Sequence, residues 1–173
     1  PPVASAGSGL AGIEGSAVSF AGTYTDPDPN DTHTYLWDFG DGTTSTAQRP
    51  AHTYVDDGSY TATFTVTDAA GASGSDTTTA VISNVAPTIS SATNSGALLE
   101  GRIISFSTSF SDPGAADTHT YLWNFGDGVT SVGASPAHMY ADNGAFAASV
   151  SVTDDDGAFD TFNFSVAIAN VNP

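Results

Sequence analysis

The sequence predicts an all-β chain built of two sandwiches in tandem. Three observations carry that expectation. A shift of 86 residues aligns the chain with itself without a gap, and roughly 38 of the 86 positions are identical. Apolar and polar residues alternate with period two in Val18-x-Phe20, Tyr35-x-Trp37-x-Phe39, Tyr60-x-Ala62-x-Phe64-x-Val66 and Val150-x-Val152, whereas no stretch of useful length has helical periodicity. Turn signals recur every ~8–12 residues.

Taken in order, the first repeat (1–86) begins with the strand around Val18 and Phe20. The turn Asp26-Pro27-Asp28-Pro29 follows, and then the aromatic strand Tyr35-x-Trp37-x-Phe39. Its three rings share one face, which makes Trp37 the expected core centre, with Trp123 as its twin. Gly40-Asp41-Gly42 reads as a tight turn with an Asx hydrogen bond. Asp56-Asp57-Gly58 turns the chain into the long strand from Tyr60. There Asp57-Gly58-Ser59-Tyr60 reads as a tyrosine corner whose hydroxyl reaches backbone across the sandwich. The second repeat (87–173) has Phe146 at that place, so it either leaves the backbone group to water or loses the ~1 kcal/mol of one hydrogen bond. Asp68-Ala69-Ala70-Gly71 ends the strand. About seven short strands per repeat is the pattern of an immunoglobulin-like sandwich. The junction Ala80–Pro87 has no Gly/Ser linker, so a semi-rigid rod is expected.

The charge excludes several functions. The 173 residues hold 19 acids against Arg49 and Arg102, for a net charge of −17. Two cations cannot neutralise a run of phosphates or hold an anionic membrane surface, so nucleic acid is excluded as a partner. No apolar run approaches the ~18 residues of a membrane span, so no membrane insertion is expected. With no lysine or cysteine there is no Schiff base, disulfide or thiolate metal site. The chain should nonetheless fold, because 39% of it is hydrophobic. No secretory leader is visible, which fits a mature chain or an excised fragment. Aspartate outnumbers glutamate (Glu14, Glu100) and concentrates in loops, which points to turns and oxygen-ligand cation sites.

The segments Tyr35-Leu36-Trp37-Asp38-Phe39-Gly40-Asp41-Gly42, His52-Thr53-Tyr54, Gly58-Ser59-Tyr60 and Val66-Thr67-Asp68 resemble the polycystic-kidney-disease-type (PKD) domain. The second repeat carries the same set, with Asn124, Met139 and Phe146 as departures. The resemblance implies an extracellular or cell-surface module used in adhesion, spacing and ligand binding rather than catalysis. It also implies calcium at the N-terminal edge of the domain. For the second repeat the matching oxygens are those of Asn84, Asp112 and Asp117. For the first they are those of Asp26, Asp28 and Asp31. Gly114 replaces the counterpart of Asp28 and removes one carboxylate from the second set.

The residues themselves support part of this. Asp26, Asp28 and Asp31 place three carboxylates within six residues, which suits Ca2+, although the same residues also make solvated turns. Asp154-Asp155-Asp156 reads as a solvated loop, because its counterpart keeps only Asp68. His33 is expected at the edge of the core, and His52 in a structural stretch. Both recur as His119 and His138, and neither sits in a hydrolase motif, so the chain is not expected to be an enzyme. The sequons at Asn30 and Asn163 carry no weight in so Ser/Thr-rich a chain. The primary expectation is a calcium-stiffened structural or adhesive rod whose partners are neighbouring repeats or protomers, head to tail. The alternative is an accessory module of a secreted hydrolase that binds polysaccharide or extracellular protein. The accessory-module reading predicts an exposed aromatic strip on one sheet, for which Phe159 and Phe162 are the candidates.

Overall fold

The computed structural model describes residues 1–28 and 30–171. Pro29, Asn172 and Pro173 lie outside the described residues, and with them the last two positions of the 87–173 repeat. There is no helix among the described residues, and the chain divides into two compact units.

The described residues of the first unit form nine strands: β1 (Val3–Ser5), β2 (Leu10–Ile13), β3 (Ala17–Ser19), β4 (Thr23–Thr25), β5 (His33–Asp38), β6 (Thr44–Ser45), β7 (Ala51–Thr53), β8 (Gly58–Asp68) and β9 (Ser73–Ser83). A five-stranded sheet, β2-β9-β8-β5-β6, is antiparallel except for the β2–β9 pair. The pairs β1–β4 and β3–β7 make the opposing layer. Between the layers lie Val18, Phe20, Trp37, Phe39, Tyr54, Ala62, Phe64, Val66, Ala80 and Ile82. The alternation in β8 explains the sidedness. Ala62, Phe64 and Val66 are buried, whereas Thr61 is exposed and Thr63, Thr65 and Thr67 are half-buried. The outward row of β9 continues this hydroxyl face with Ser73, Ser75, Thr77 and Thr79. Acids therefore stay in loops and at strand ends, apart from Asp76 and Asp160.

The described residues of the second unit form seven strands: β10 (Thr88–Ser95), β11 (Ile103–Ser111), β12 (Thr120–Asn124), β13 (Thr130–Val132), β14 (Ala137–Met139), β15 (Gly144–Thr153) and β16 (Phe159–Ile168). They form the sheets β10-β11-β14 and β13-β12-β15-β16. Trp123, like Trp37, is fully buried.

The two cores differ in one exchange. Phe64 stacks on Trp37 at 4.8 Å beside a buried Thr78. The second unit has Val150 and Phe164 at the equivalent places, and Phe164 meets Trp123 edge-on at 6.3 Å. The ring has moved to the neighbouring strand and the small residue has taken its former place, so core volume is conserved.

The tyrosine bonds differ from expectation. Tyr60 Oη donates to the carbonyls of Asp56 (3.0 Å) and Asp57 (3.2 Å), a few residues upstream and near the surface. The bond across the sandwich belongs instead to Tyr54, whose buried hydroxyl donates to Phe39 O at 3.0 Å. Tyr140 does the same to Phe125 O at 3.0 Å. Burial pushes both phenols up to about 12. Phe146 keeps the stack of its repeat, lying 4.3 Å from Tyr140 as Tyr60 lies 4.1 Å from Tyr54. The hydroxyl it lacks is therefore a peripheral one, and water can replace it.

Candidate functional site

Two kinds of polar constellation stand out. The first is acidic. Asp26 follows β4, Asp31 precedes β5, and Asp68 ends β8, where the antiparallel register sets it opposite His33. Their carboxylates offer oxygens all within 4.8 Å of one another. Asp26 is held on both sides. Its Oδ1 accepts the Asp28 N–H at 2.9 Å, and its Oδ2 meets His33 Nε2 at 3.1 Å. These two hydrogen bonds, the backbone one foremost, hold its carboxyl below the ordinary carboxylate range. Asp28 Oδ1 accepts the Asn30 N–H at 3.1 Å, closing the turn, and Asp28 is not part of the acidic group.

Asp68 was not visible as a partner in the loop sequence. Two signals point to it: the recurrence of Val-Thr-Asp as Val152-Thr153-Asp154, and the pairing of its strand end with the start of the aromatic strand. In the second unit, Asp112 and Asp117 also bring oxygens within 4.8 Å of each other. Asn84 follows β9, half-buried, as the last residue before the division between the units.

Asp154 departs from the solvated loop expected for Asp154-Asp155-Asp156. It is buried, and its Oδ1 accepts the Ala158 N–H at 2.7 Å, as Asp68 Oδ1 accepts that of Ala72 at 2.8 Å. Asp155 accepts the Thr118 N–H at 2.9 Å, and that bond chiefly lowers its carboxyl. Asp154 thus locks its own turn, and Asp155 ties that turn to the segment before β12.

The second constellation is a set of four histidine–aspartate pairs. His119 meets Asp112 at 2.9 Å, matching His33 and Asp26. His52 meets Asp41 at 2.7 Å, and His138 meets Asp127 at 2.7 Å. The sequence placed these histidines in structural segments but did not show their partners. The His52 ring lies flat on Phe39, with centroids 4.0 Å apart and planes 3° apart, and His138 lies on Phe125 in the same way at 4.2 Å. Asp41 Oδ1 also accepts the Thr43 N–H (2.9 Å) and the Thr43 hydroxyl (2.6 Å). Burial pushes the Asp41 carboxyl up. The bonds from Thr43 and His52 outweigh it, and the net position is below the usual range. Asp127 behaves likewise, with Val129 N–H and His138 as its donors.

Threonine, histidine and aspartate side by side invite a catalytic reading, but the wiring opposes it. In a triad the imidazole stands between nucleophile and acid, using both ring nitrogens. Here the single atom His52 Nε2 faces both Asp41 (2.7 Å) and Thr43 Oγ1 (3.5 Å), and the threonine bonds the acid directly. In the second unit Val129 replaces Thr43, yet the His138–Asp127 pair persists unchanged. The pair clamps the Gly-Asp-Gly turn onto the strand carrying the histidine.

A family model described as the PKD domain matches residues 1–83 and again 84–168. The chain belongs to the PKD domain family. Its two PKD domains are immunoglobulin-like β-sandwiches. The chain is 34% identical over 158 residues to the pre-pro-metalloprotease PrtV of Vibrio cholerae serotype O1, covering 90% of this chain and 17% of that protein. It is 41% identical over 73 residues to a microbial collagenase of Vibrio alginolyticus, covering 42% of this chain and 9% of the collagenase. A solved amphioxus IgVJ-C2 molecule superposes with a TM-score of 0.51 at 14% identity, over 92% of this chain and 100% of that one, a likeness of fold alone. The PKD pair thus spans about a sixth or less of the length of the curated relatives it matches. Among the described residues no helix is long and apolar enough to cross a membrane.

Proposed function

We propose that this PKD pair is a non-catalytic accessory module of a secreted hydrolase, holding a catalytic domain on a protein substrate. The observation that carries the reading is the match along 90% of the chain to a segment of a metalloprotease, joined by the match to a collagenase. This reading takes the place of the adhesive rod as the leading one. Protein is favoured over polysaccharide by the surface. Sugar rings are held by stacked aromatics, but Phe159 is 64% exposed whereas Phe162 packs against the core. The other large apolar groups in the open are aliphatic, with Ile103, Leu122, Val132 and Met139 among them. The test is co-sedimentation of the chain with insoluble collagen fibrils and, separately, with cellulose and chitin. Retention on the protein fibrils alone is expected. Retention on the polysaccharides alone, or hydrolysis of substrate by the chain itself, would overturn the reading.

A second reading is favoured by the acidic group of the first domain. Asp26, Asp31 and Asp68 supply hard oxygen donors close enough to share one ion, and a chain without cysteine offers no thiolate. The donor set fits Ca2+, which would tie the loop before β5 to the end of β8. Calcium at a hundred times its Kd stabilises a fold by about 2.7 kcal/mol, which raises the melting temperature of a domain this size by roughly 10 °C or more. Calcium should raise the melting temperature, EDTA should return it, and Asp68→Asn should abolish the response. A melting curve indifferent to calcium and chelator would remove the ion from the account.

A further inference from the structure

The two domains treat one sheet edge differently. In the first, β2 runs parallel to β9 and covers its outer edge from Leu10 opposite Ala80 to Ile13 opposite Ser83. Glu14 N–H then donates to Ser83 O at 3.2 Å. The equivalent edge in the second domain is that of β16. There the last rung is kept, with Glu100 N–H donating to Ala169 O at 3.1 Å and Ala169 N–H to Leu98 O at 2.9 Å. Above it, no strand among the described residues pairs with β16 on that side.

The cause is legible in the residues. Gly7, at φ +83°, lets the chain leave β1, cross between layers and join β9. The matching residue is Thr93, followed by Asn94 and Ser95. Without a glycine there the chain stays extended, and β10 continues along β11 as far as Ser95 opposite Ser105. The strand that would have covered β16 is used in the other sheet.

The uncovered stretch has defined ends. Backbone groups on a strand alternate in direction, so those of Asn163, Ser165 and Ala167 point the same way as the bonded groups of Ala169. Thr161 shares that direction, but Asp160 Oδ1 accepts its N–H at 2.7 Å, while Asp160 Oδ2 accepts the Ile89 N–H at 2.8 Å. That leaves three residues, all exposed, presenting donors and acceptors along one edge. Open edges are ordinarily guarded by lysine, proline or a bulge. From Thr161 to Ile168 the strand has no charge and no proline, and it pairs with β15 without a break in register.

We propose that the edge of β16 at Asn163, Ser165 and Ala167 is a strand-acceptor site. Its occupant is an extended, uncharged segment of small and apolar residues running parallel to β16. The chain itself shows that chemistry at one end of the site, because Leu10-Ala11-Gly12-Ile13 pairs with Ala80–Ser83, the counterparts of Val166–Ala169. β2 is engaged there, so the segment comes from a partner chain.

The test is NMR titration of the full 15N-labelled chain with an acetylated, amidated peptide of the sequence Gly7–Ile13, up to millimolar concentration. Saturable shifts are expected at the amides of Asn163, Ser165 and Ala167, and none at those of Val81 and Ser83, which β2 already covers. Before peptide is added, the three open amides should exchange hydrogen about tenfold or more faster than those two. Ser165→Pro removes an outward N–H with no internal partner and should abolish the shifts while leaving the melting temperature unchanged. If that variant does not fold, Ala167→Lys serves, guarding the edge by charge. Absence of shifts at millimolar peptide overturns the proposal. So do shifts that follow protein concentration rather than peptide, which would assign the edge to a second copy of the chain.

Discussion

Replacing Gly40 by alanine is expected to destabilise the first domain by about 3 kcal/mol, from a left-handed backbone cost of ~1–2 and a steric cost of similar size. Gly40 has φ +83°, a conformation that L side chains seldom adopt. A Cβ placed there would also stand 2.6 Å from the carbonyl oxygen of Thr61, on the neighbouring strand β8. The oxygen belongs to a strand held on both sides, so it cannot yield cheaply. The control lies two residues away. Gly42 has φ +87°, but nothing lies within 4 Å of its notional Cβ. Gly42→Ala should therefore cost only the conformational part, about 1–2 kcal/mol. Urea unfolding of both variants separates the two effects. Equal losses would show that the close approach of the turn to β8 is immaterial. Gly126 repeats the geometry, since a Cβ there would stand 2.5 Å from Ala147 O, and its alanine variant should behave like that of Gly40.

The second large effect concerns Asp41. Its carboxylate accepts from the Thr43 N–H, the Thr43 hydroxyl and His52. Asp41→Ala removes all three bonds and releases the ring that stacks on Phe39, a loss of about 2 kcal/mol at neutral pH. The loss should depend on pH, with a definite sign. The folded-state value lies below the unfolded one, so the charged carboxylate stabilises the fold above the unfolded value of about 3.9. That contribution disappears as pH falls from about 4 through the lower folded value. The stability gap between wild type and Asp41→Ala should be constant near neutrality and shrink below pH ~4. Unfolding measured across that range checks it, and a gap that widens towards acid would contradict the assignment. His138 and Asp127 repeat the pair, so Asp127→Ala should follow the same course in the second domain.

The comparison between repeats shows which features are structural. The His–Asp clamp survives the change of Thr43 to Val129, so it does not serve a nucleophile. The core survives the exchange of Phe64 and Thr78 for Val150 and Phe164. The core exchange reads only as a pair, because the ring lost at Val150 returns at Phe164.

What the sequence determined by itself is the class and division of the fold. Alternation of period two and the 86-residue repeat are local or self-referential signals, and they require only that apolar faces be buried. Trp37 and Trp123 are legible as core centres for the same reason, as is the tight turn at Asp41. What only the tertiary structure decided is which residues meet across strands. Asp68 joins Asp26 and Asp31 because antiparallel register sets the end of β8 beside the start of β5. The histidines find their acids 7 and 11 residues away because turns fold those distances back. Asp28, also an aspartate and nearer in sequence, accepts the Asn30 N–H instead. The bare edge of β16 rests on a glycine in one repeat and a threonine in the other, a difference of one backbone conformation. Composition and periodicity are blind to these meetings, since register and φ set distances in space, whereas spacing along the chain sets only what is possible.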